Sequence, residues 1–281
     1  MTKTFFPNLL LLAWTLQTVQ AGPFGYAVTN AGNVGTVDLT NGVFSPIGCV
    51  PGPCHPTGIG GGGIAIGPSG GIYVYDDTST SLYRFNPGNG TSTLVGNSGA
   101  NFTVFGGLGD GRLFGVDFSG DLFRVNASTG VTTLVSHLFN FSSDGFIGTS
   151  LAGDGSNLYF TYEAPPFAAA PKDSTLYRIN PNTGAIQQIG LTGIDGIAGS
   201  GFIGGNLYGF RSTCGDDGMG GFTCNQDTTY RLNINTGAAT FVGNSSPGDP
   251  IYGAVATPEP AAWTLSGIGL CCLALLRTRK R

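Results

Sequence analysis

The chain has 281 residues and a formal net charge of −4, from 12 Lys and Arg against 16 Asp and Glu. Cations this sparse exclude a nucleic-acid binder, which needs Lys and Arg to displace counterions from phosphates. With 49 glycines, few stretches run ten residues without Gly or Pro, and with no apolar period of 3.6 the composition also excludes a helical domain and predicts an all-β chain with many tight turns.

The first predicted element is a secretory signal peptide over residues 1–21. Lys3 supplies a basic start, residues 5–16 a mostly apolar core, and Val19-Gln20-Ala21 a small-residue cleavage site. The apolar run is shorter than the ~20 residues a membrane-spanning helix needs, so cleavage after Ala21 is expected rather than anchoring.

Residues 22–256 form the predicted ectodomain, long enough for one large domain. Setting aside Lys3, Glu259 and the four basic residues at the end of the chain, seven basic and fifteen acidic side chains remain, a net charge of −8. Four of the six cysteines lie in this body as two close pairs, Cys49 with Cys54 and Cys214 with Cys224. In an oxidising compartment each pair reads as a local disulfide pinning one loop. Zinc is disfavoured, because His55 and His137 are the only histidines and no Cys/His spacing suits the metal.

The body repeats. Tyr83-Arg84-Phe85-Asn86, Phe123-Arg124-Val125-Asn126, Tyr177-Arg178-Ile179-Asn180 and Tyr230-Arg231-Leu232-Asn233 each run into a turn that ends in Gly90, Gly130, Gly184 or Gly237. A degenerate copy, Thr36-Val37-Asp38, ends its turn in Gly42. Each is a predicted hairpin: an alternating strand, an Asn or Asp that bonds turn backbone, a Gly where φ must be positive, and a second strand. Upstream of each full copy lie a glycine-rich strand and an aromatic one: 60–66 with 72–75, 105–108 with 113–116, 146–151 with 158–162, and 197–203 with 207–210. The hairpins end at Gly48, Gly96, Ser136, Gly190 and Gly243, which are 48, 40, 54 and 53 residues apart. Four strands per 40–55 residues mark a propeller blade.

The first copy lacks its inner strand, and residues 251–255 form an orphan strand after the last copy. Placed before Tyr26, the orphan completes the first blade and removes a free edge. The predicted fold is therefore all-β, a five-bladed β-propeller closed by a C-terminal strand, in preference to six blades or a sandwich.

Candidate chemistry in the body is thin. Arg84, Arg124, Arg178 and Arg231 recur at one blade position and read as structural, pairing across blades. A glycosidase on such a scaffold needs two or three inward carboxylates. Asp144 and Asp195 precede inner strands and, with an arginine, are the candidates for a hydrolase or lyase using the central channel. Asp76-Asp77 and Asp216-Asp217 are the calcium candidates, although neither shows the alternating oxygen spacing of a known loop. Aromatic residues around Phe139, Phe141 and Phe167 would serve a protein-binding rim if they clustered on the surface. Neither an enzymatic role nor a cofactor is expected.

The final predicted element, residues 257–281, has three parts. Pro258-Glu259-Pro260 holds the backbone extended and out of a helix. Residues 261–276 are apolar and transmembrane in character, and Arg277, Arg279, Lys280 and Arg281 form a basic stop that stays cytoplasmic. This order resembles the PEP-CTERM sorting signal of Gram-negative bacteria. The resemblance implies an exosortase-like enzyme as partner, transient inner-membrane anchoring, then release to the cell surface or matrix. Exopolysaccharide or a matrix protein is the ligand class that it suggests. The expected product is an exported, non-catalytic propeller acting as a binding or structural module.

Overall fold

The computed structural model describes residues 24–50, 62–140, 147–163, 173–216, 222–244 and 248–257. The predicted signal peptide and sorting tail lie outside them, as do Cys54, Asp144, Phe141, Phe167 and Asp217.

The strands fall into five four-stranded antiparallel sheets. The first takes β1 (Phe24–Thr29), β2 (Asn33–Asp38) and β3 (Phe44–Cys49). The second comprises β4 (Gly63–Ile66), β5 (Ile72–Asp76), β6 (Ser81–Asn86) and β7 (Thr91–Asn97). The third comprises β8 (Phe102–Gly107), β9 (Leu113–Asp117), β10 (Asp121–Val125) and β11 (Thr132–His137). The fourth comprises β12 (Ile147–Gly153), β13 (Leu158–Glu163), β14 (Thr175–Ile179) and β15 (Ile186–Leu191). The fifth comprises β16 (Ile197–Ile203), β17 (Asn206–Asp216), β18 (Phe222–Leu232) and β19 (Ala239–Asn244). The last strand, β20 (Ile251–Ala256), pairs with β1 in the register Tyr26↔Val255 and Ala27↔Ala254. The orphan strand thus completes blade 1, and the ring is a five-bladed propeller closed from its C-terminal side.

Strands β4, β8, β12, β16 and β20 pack side by side around the axis. Glycine sets how close they come. A Cβ on Gly63 would lie 2.2 Å from the Phe105 carbonyl oxygen, one on Gly106 2.3 Å from that of Leu151, and one on Gly201 2.3 Å from that of Ala254. Matched positions advance together along neighbouring strands (Gly199 against Ile251, Gly201 against Ala254), so the inner strands run the same way. The molecule therefore has two distinct ends. At one, short turns join the first strand to the second in blades 2–5 and the third to the fourth in every blade. At the other lie the connections between blades and the loops from second to third strands, including the β17–β18 hairpin, whose 11-residue strands exceed those of every other blade. We call these the turn end and the loop end.

Five apolar clusters fill the five gaps between blades. Phe114 and Val116 of blade 3, for example, pack with Leu158 and Phe160 of blade 4, and Ala27 and Val37 of blade 1 with Tyr208 and Phe210 of blade 5. Tyr75, Phe102 and Phe105 interlock between blades 2 and 3, with Tyr75 to Phe102 ring centroids 4.7 Å apart. Strands covered on both faces read as continuous apolar runs, as in β5, buried at all five positions.

The repeated hairpin is the predicted one. Backbone amides at Thr40, Gly88, Ser128, Asn182 and Asn235 donate to the side chains of Asp38, Asn86, Asn126, Asn180 and Asn233 over 2.8–2.9 Å. The closing glycines have φ of +72° at Gly42, +69° at Gly90 and +84° at Gly237. The pairing of third and fourth strands adds a feature that the repeat alone did not announce. In every blade the register slips by one residue, leaving Ile47, Val95, Val135, Ile189 and Val242 as bulges. The bulge turns this residue toward the inter-blade core at four of the five sites. It also aims the following residue at the next blade's turn: a Cβ on Gly48 would lie 2.1 Å from the Gly90 carbonyl oxygen, and one on Gly96 2.1 Å from that of Thr129. Gly190 meets Thr236 in the same way, and Gly243 meets Asn41 across the closure.

Cys49 is disulfide-bonded. Cys214 and Cys224 are direct register partners across the β17–β18 hairpin, and facing antiparallel residues have Cα separations within the range that a disulfide accepts. We expect mass-resolved alkylation of the protein made under oxidising conditions to leave Cys214 and Cys224 unmodified before reduction and to label both afterwards. The axial packing makes a second prediction. Gly106→Ala forces a methyl into the Leu151 carbonyl and should cost on the order of 1–3 kcal/mol in urea unfolding. Gly155→Ala, whose Cβ meets nothing within 4 Å, should stay within about 0.5 kcal/mol of the parent.

Candidate functional site

The turn end opens into a cavity of about 360 Å³ around the axis. Its wall is made by the last residues of the inner strands and the turns that follow them, chiefly Ile66, Leu108, Leu151, Phe202 and Ala256, with glycines between. The one carboxylate in this wall, Asp110, is engaged: its Oδ1 accepts the Arg112 amide at 3.0 Å and its Oδ2 the Arg112 Nε at 2.7 Å. Arg112 then reaches Asn182 Oδ1 at 2.7 Å and lies over the Phe114 ring, 6.0 Å from its centroid. A mouth like this can shelter apolar surface, but it offers no second acid or base beside Asp110.

Carboxylates gather at the loop end. Asp195, ahead of β16, pairs with Arg211 (Nη2 to Oδ1, 2.8 Å), and neither residue lines the axial cavity. Asp144 lies outside the described residues. Beside this pair stands Glu163 at the end of β13, which the sequence did not single out. Both of its carboxylate oxygens accept the Gly196 amide, at 3.1 and 3.2 Å. Burial pushes the Glu163 carboxyl up, opposed by the Gly196 amide. Glu163, Asp195 and Arg211 thus tie blade 4 to the entry of blade 5, with the carboxylates committed to backbone and guanidinium.

The calcium candidates separate. Asp76 is buried, and its Oδ1 accepts the Thr78 amide at 3.0 Å while Oδ2 accepts the Ser79 hydroxyl at 2.6 Å. These are the bonds of a turn cap. Asp77 is different: burial and the neighbouring Asp76 push its carboxyl up to about 7. Among the described residues no group of three or more His, Cys, Asp or Glu converges as a metal site. The side chain of Asp216, like Asp217, is outside the described set.

His137 is the remaining titratable group of interest. Its Nδ1 lies 2.6 Å from Asp121 Oδ1 and its Nε2 2.9 Å from Asn140 Oδ1. An acceptor on each ring nitrogen favours the imidazolium, and the Asp121 bond raises its pKa. A histidine held in this way has no free lone pair with which to act as a base.

The repeat arginines do not pair across blades, which corrects the sequence reading. Each stands between an aromatic residue of the second strand and a small polar residue of the fourth: Arg84 between Tyr73 and Thr93, Arg124 between Phe114 and Thr133, Arg231 between Tyr208 and Thr240. Arg178 lies between Tyr159 and Gln187, and its Nη2 donates to the Gln187 side chain within the blade. Two residues from a turn, a side chain this long reaches water without meeting the neighbouring sheet. Phe139 also departs from expectation. It is half-buried, stacked on Tyr162 at 5.0 Å and on Phe160 at 5.6 Å, so it caps the gap between blades 3 and 4.

The Asp77 carboxyl makes stability depend on pH in a definite direction. Its folded pKa lies above that of an unfolded aspartate, so the folded chain holds the proton more tightly and stability falls as pH rises from about 4 toward 7. Asp77→Asn should flatten this segment of the profile and raise the urea midpoint at pH 8, with little change at pH 4. A parallel shift at both pH values would refute it.

No family model matches the chain, and no curated protein matches it. Solved structures do. A chain of a nidogen/laminin complex is 12% identical, with a TM-score of 0.50 over 83% of this chain and 97% of that one. The extracellular domain of a presumed one-component system from B. thetaiotaomicron is 15% identical, with a TM-score of 0.39 over 82% of this chain and 28% of the other. A presumed gluconolactonase is 15% identical, with a TM-score of 0.41 over 65% and 62%. At 12% identity the nidogen/laminin chain shows a shared fold and nothing of activity.

Proposed function

We propose that the protein is an exported β-propeller that works as a non-catalytic binding or structural module, carried to the cell surface or matrix by a C-terminal sorting tail. The observation that carries the module reading is the state of the carboxylates. Asp110 is engaged by Arg112, Asp195 by Arg211, Glu163 by the Gly196 amide and Asp76 by its own turn. Glycoside hydrolysis needs one acid free to protonate a leaving group and another to face the sugar or water. These carboxylates are fixing loops, which argues against the hydrolase or lyase alternative.

Delivery rests on the two ends of the chain. A signal peptide over 1–21 sends the body across the inner membrane. The Pro258-Glu259-Pro260 motif, the apolar residues 261–276 and the basic end hold it there for an exosortase-like enzyme. Released, the body would meet exopolysaccharide or a matrix protein. Calcium has no role in this reading.

Intact mass of the mature protein from a host carrying the sorting enzyme tests delivery. The expected product begins at Gly22 and ends between Pro258 and Pro260. A product that keeps Arg281 would sink the sorting proposal and leave a tail-anchored propeller.

A further inference from the structure

We infer that the turn end of the propeller is a docking face for an anionic phospholipid surface while the tail is intact. The inference rests on the reading of residues 261–276 as a membrane span.

Three independent observations meet at this end. The first is where the chain enters and leaves. Phe24 opens β1 and Thr257 follows β20, and Thr257 Oγ1 lies 3.4 Å from the Phe24 carbonyl oxygen. Both termini of the body therefore project from the turn end. Only Pro258-Glu259-Pro260 separates Thr257 from the apolar segment. Three residues reach at most about 11 Å even when fully extended. A propeller held on so short a tether brings its turn end against the headgroups.

The second is charge. Among the described residues, five of six basic side chains lie at or near the turn end: Arg84, Arg112, Arg124, Arg178 and Arg231. Three of the eleven acids with described side chains share that end, Asp38, Asp110 and Asp154, so its net charge is +2. The other eight, Asp77, Asp117, Asp121 and Glu163 among them, lie at the loop end, where Arg211 is the one described cation, for a net charge of −7. An acidic protein thus presents a cationic face on the side where its ends emerge. Arg84, Arg124 and Arg231 are exposed, and basic residues near an anionic leaflet contribute about 1 kcal/mol each.

The third is apolar exposure. Phe24, Val43, Val131 and Ile186 are 39%, 43%, 59% and 37% exposed, and all four lie at the turn end, the last three at the start of outermost strands. Apolar tips among arginines are the chemistry of an interfacial face, with long side chains reaching for phosphate while the tips enter the headgroup layer.

The test uses the full-length chain in nanodiscs of phosphatidylcholine, with or without phosphatidylglycerol, read by amide hydrogen exchange. Phosphatidylglycerol should slow exchange several-fold in turns 67–71, 108–112 and 126–131 and leave loops 77–80 and 117–121 unchanged. Arg84→Gln with Arg124→Gln should abolish the lipid dependence, at about fivefold in docking per arginine, without altering exchange in phosphatidylcholine discs. Equal exchange in both lipids, or slowing at the loop end, overturns the inference. So does soluble alginate that slows the turn end in phosphatidylcholine discs as strongly as phosphatidylglycerol does, because the face would then belong to a free polyanion. A chain that elutes free of the discs removes the span reading itself, and this inference with it.

Discussion

Everything in this molecule depends on backbone meeting backbone between blades, at distances only glycine permits. The inner strands touch through Gly63, Gly106, Gly199 and Gly201, each facing a carbonyl of its neighbour. The rim repeats the device, with Gly48, Gly96 and Gly190 seated on the next blade's turn. Between the two rings of contact lie the five apolar clusters. A small axial radius keeps five blades, rather than more, in contact around it. The high glycine content that first suggested loops is thus the material of the most tightly packed surfaces in the fold.

Such packing explains why the fold was legible. Tyr/Phe-Arg-apolar-Asn followed by a turn Gly recurs at fixed spacing, and each residue in it has a local job that needs no tertiary context. The orphan strand could be placed because a ring lacking one strand and a chain with one left over admit a single solution. The bulges were harder to see, because a slipped register has no signature in one strand. A trace was present in Leu94-Val95, Leu134-Val135 and Phe241-Val242, apolar doublets that break alternation just ahead of the terminal Gly or Ser. In each, the first residue stays exposed and the second turns inward.

The charged groups were legible only in part, for a different reason. The place of Asp195 before an inner strand was legible, but no pattern singled out Arg211 as its partner. Glu163 joins them from another blade, a proximity that no local pattern encodes. Asp77 looked like half of a surface acid pair, yet its neighbour caps a turn while it sits partly buried near Gly62 and Tyr252. The repeat arginines invited pairing across blades because four copies of one cation suggest a shared partner. Their strand register instead gives each an aromatic and a polar neighbour of its own sheet, and the shared property is the end of the molecule they occupy.

The closing strand has a consequence for the order of events during synthesis. Ile251–Ala256 is the last strand of the body to leave the ribosome, and β1, the strand it pairs with, is the first. Until it arrives, blade 1 has three strands and the flanks of Gly199, Gly201 and Ile64 lack their axial neighbour. Four blades can form as the chain lengthens, but the ring stays open up to the final residues before Thr257. A chain cut short by even one strand keeps an unpaired edge and a solvent-filled gap at its axis, marks by which proteases can tell an unfinished copy from a finished one.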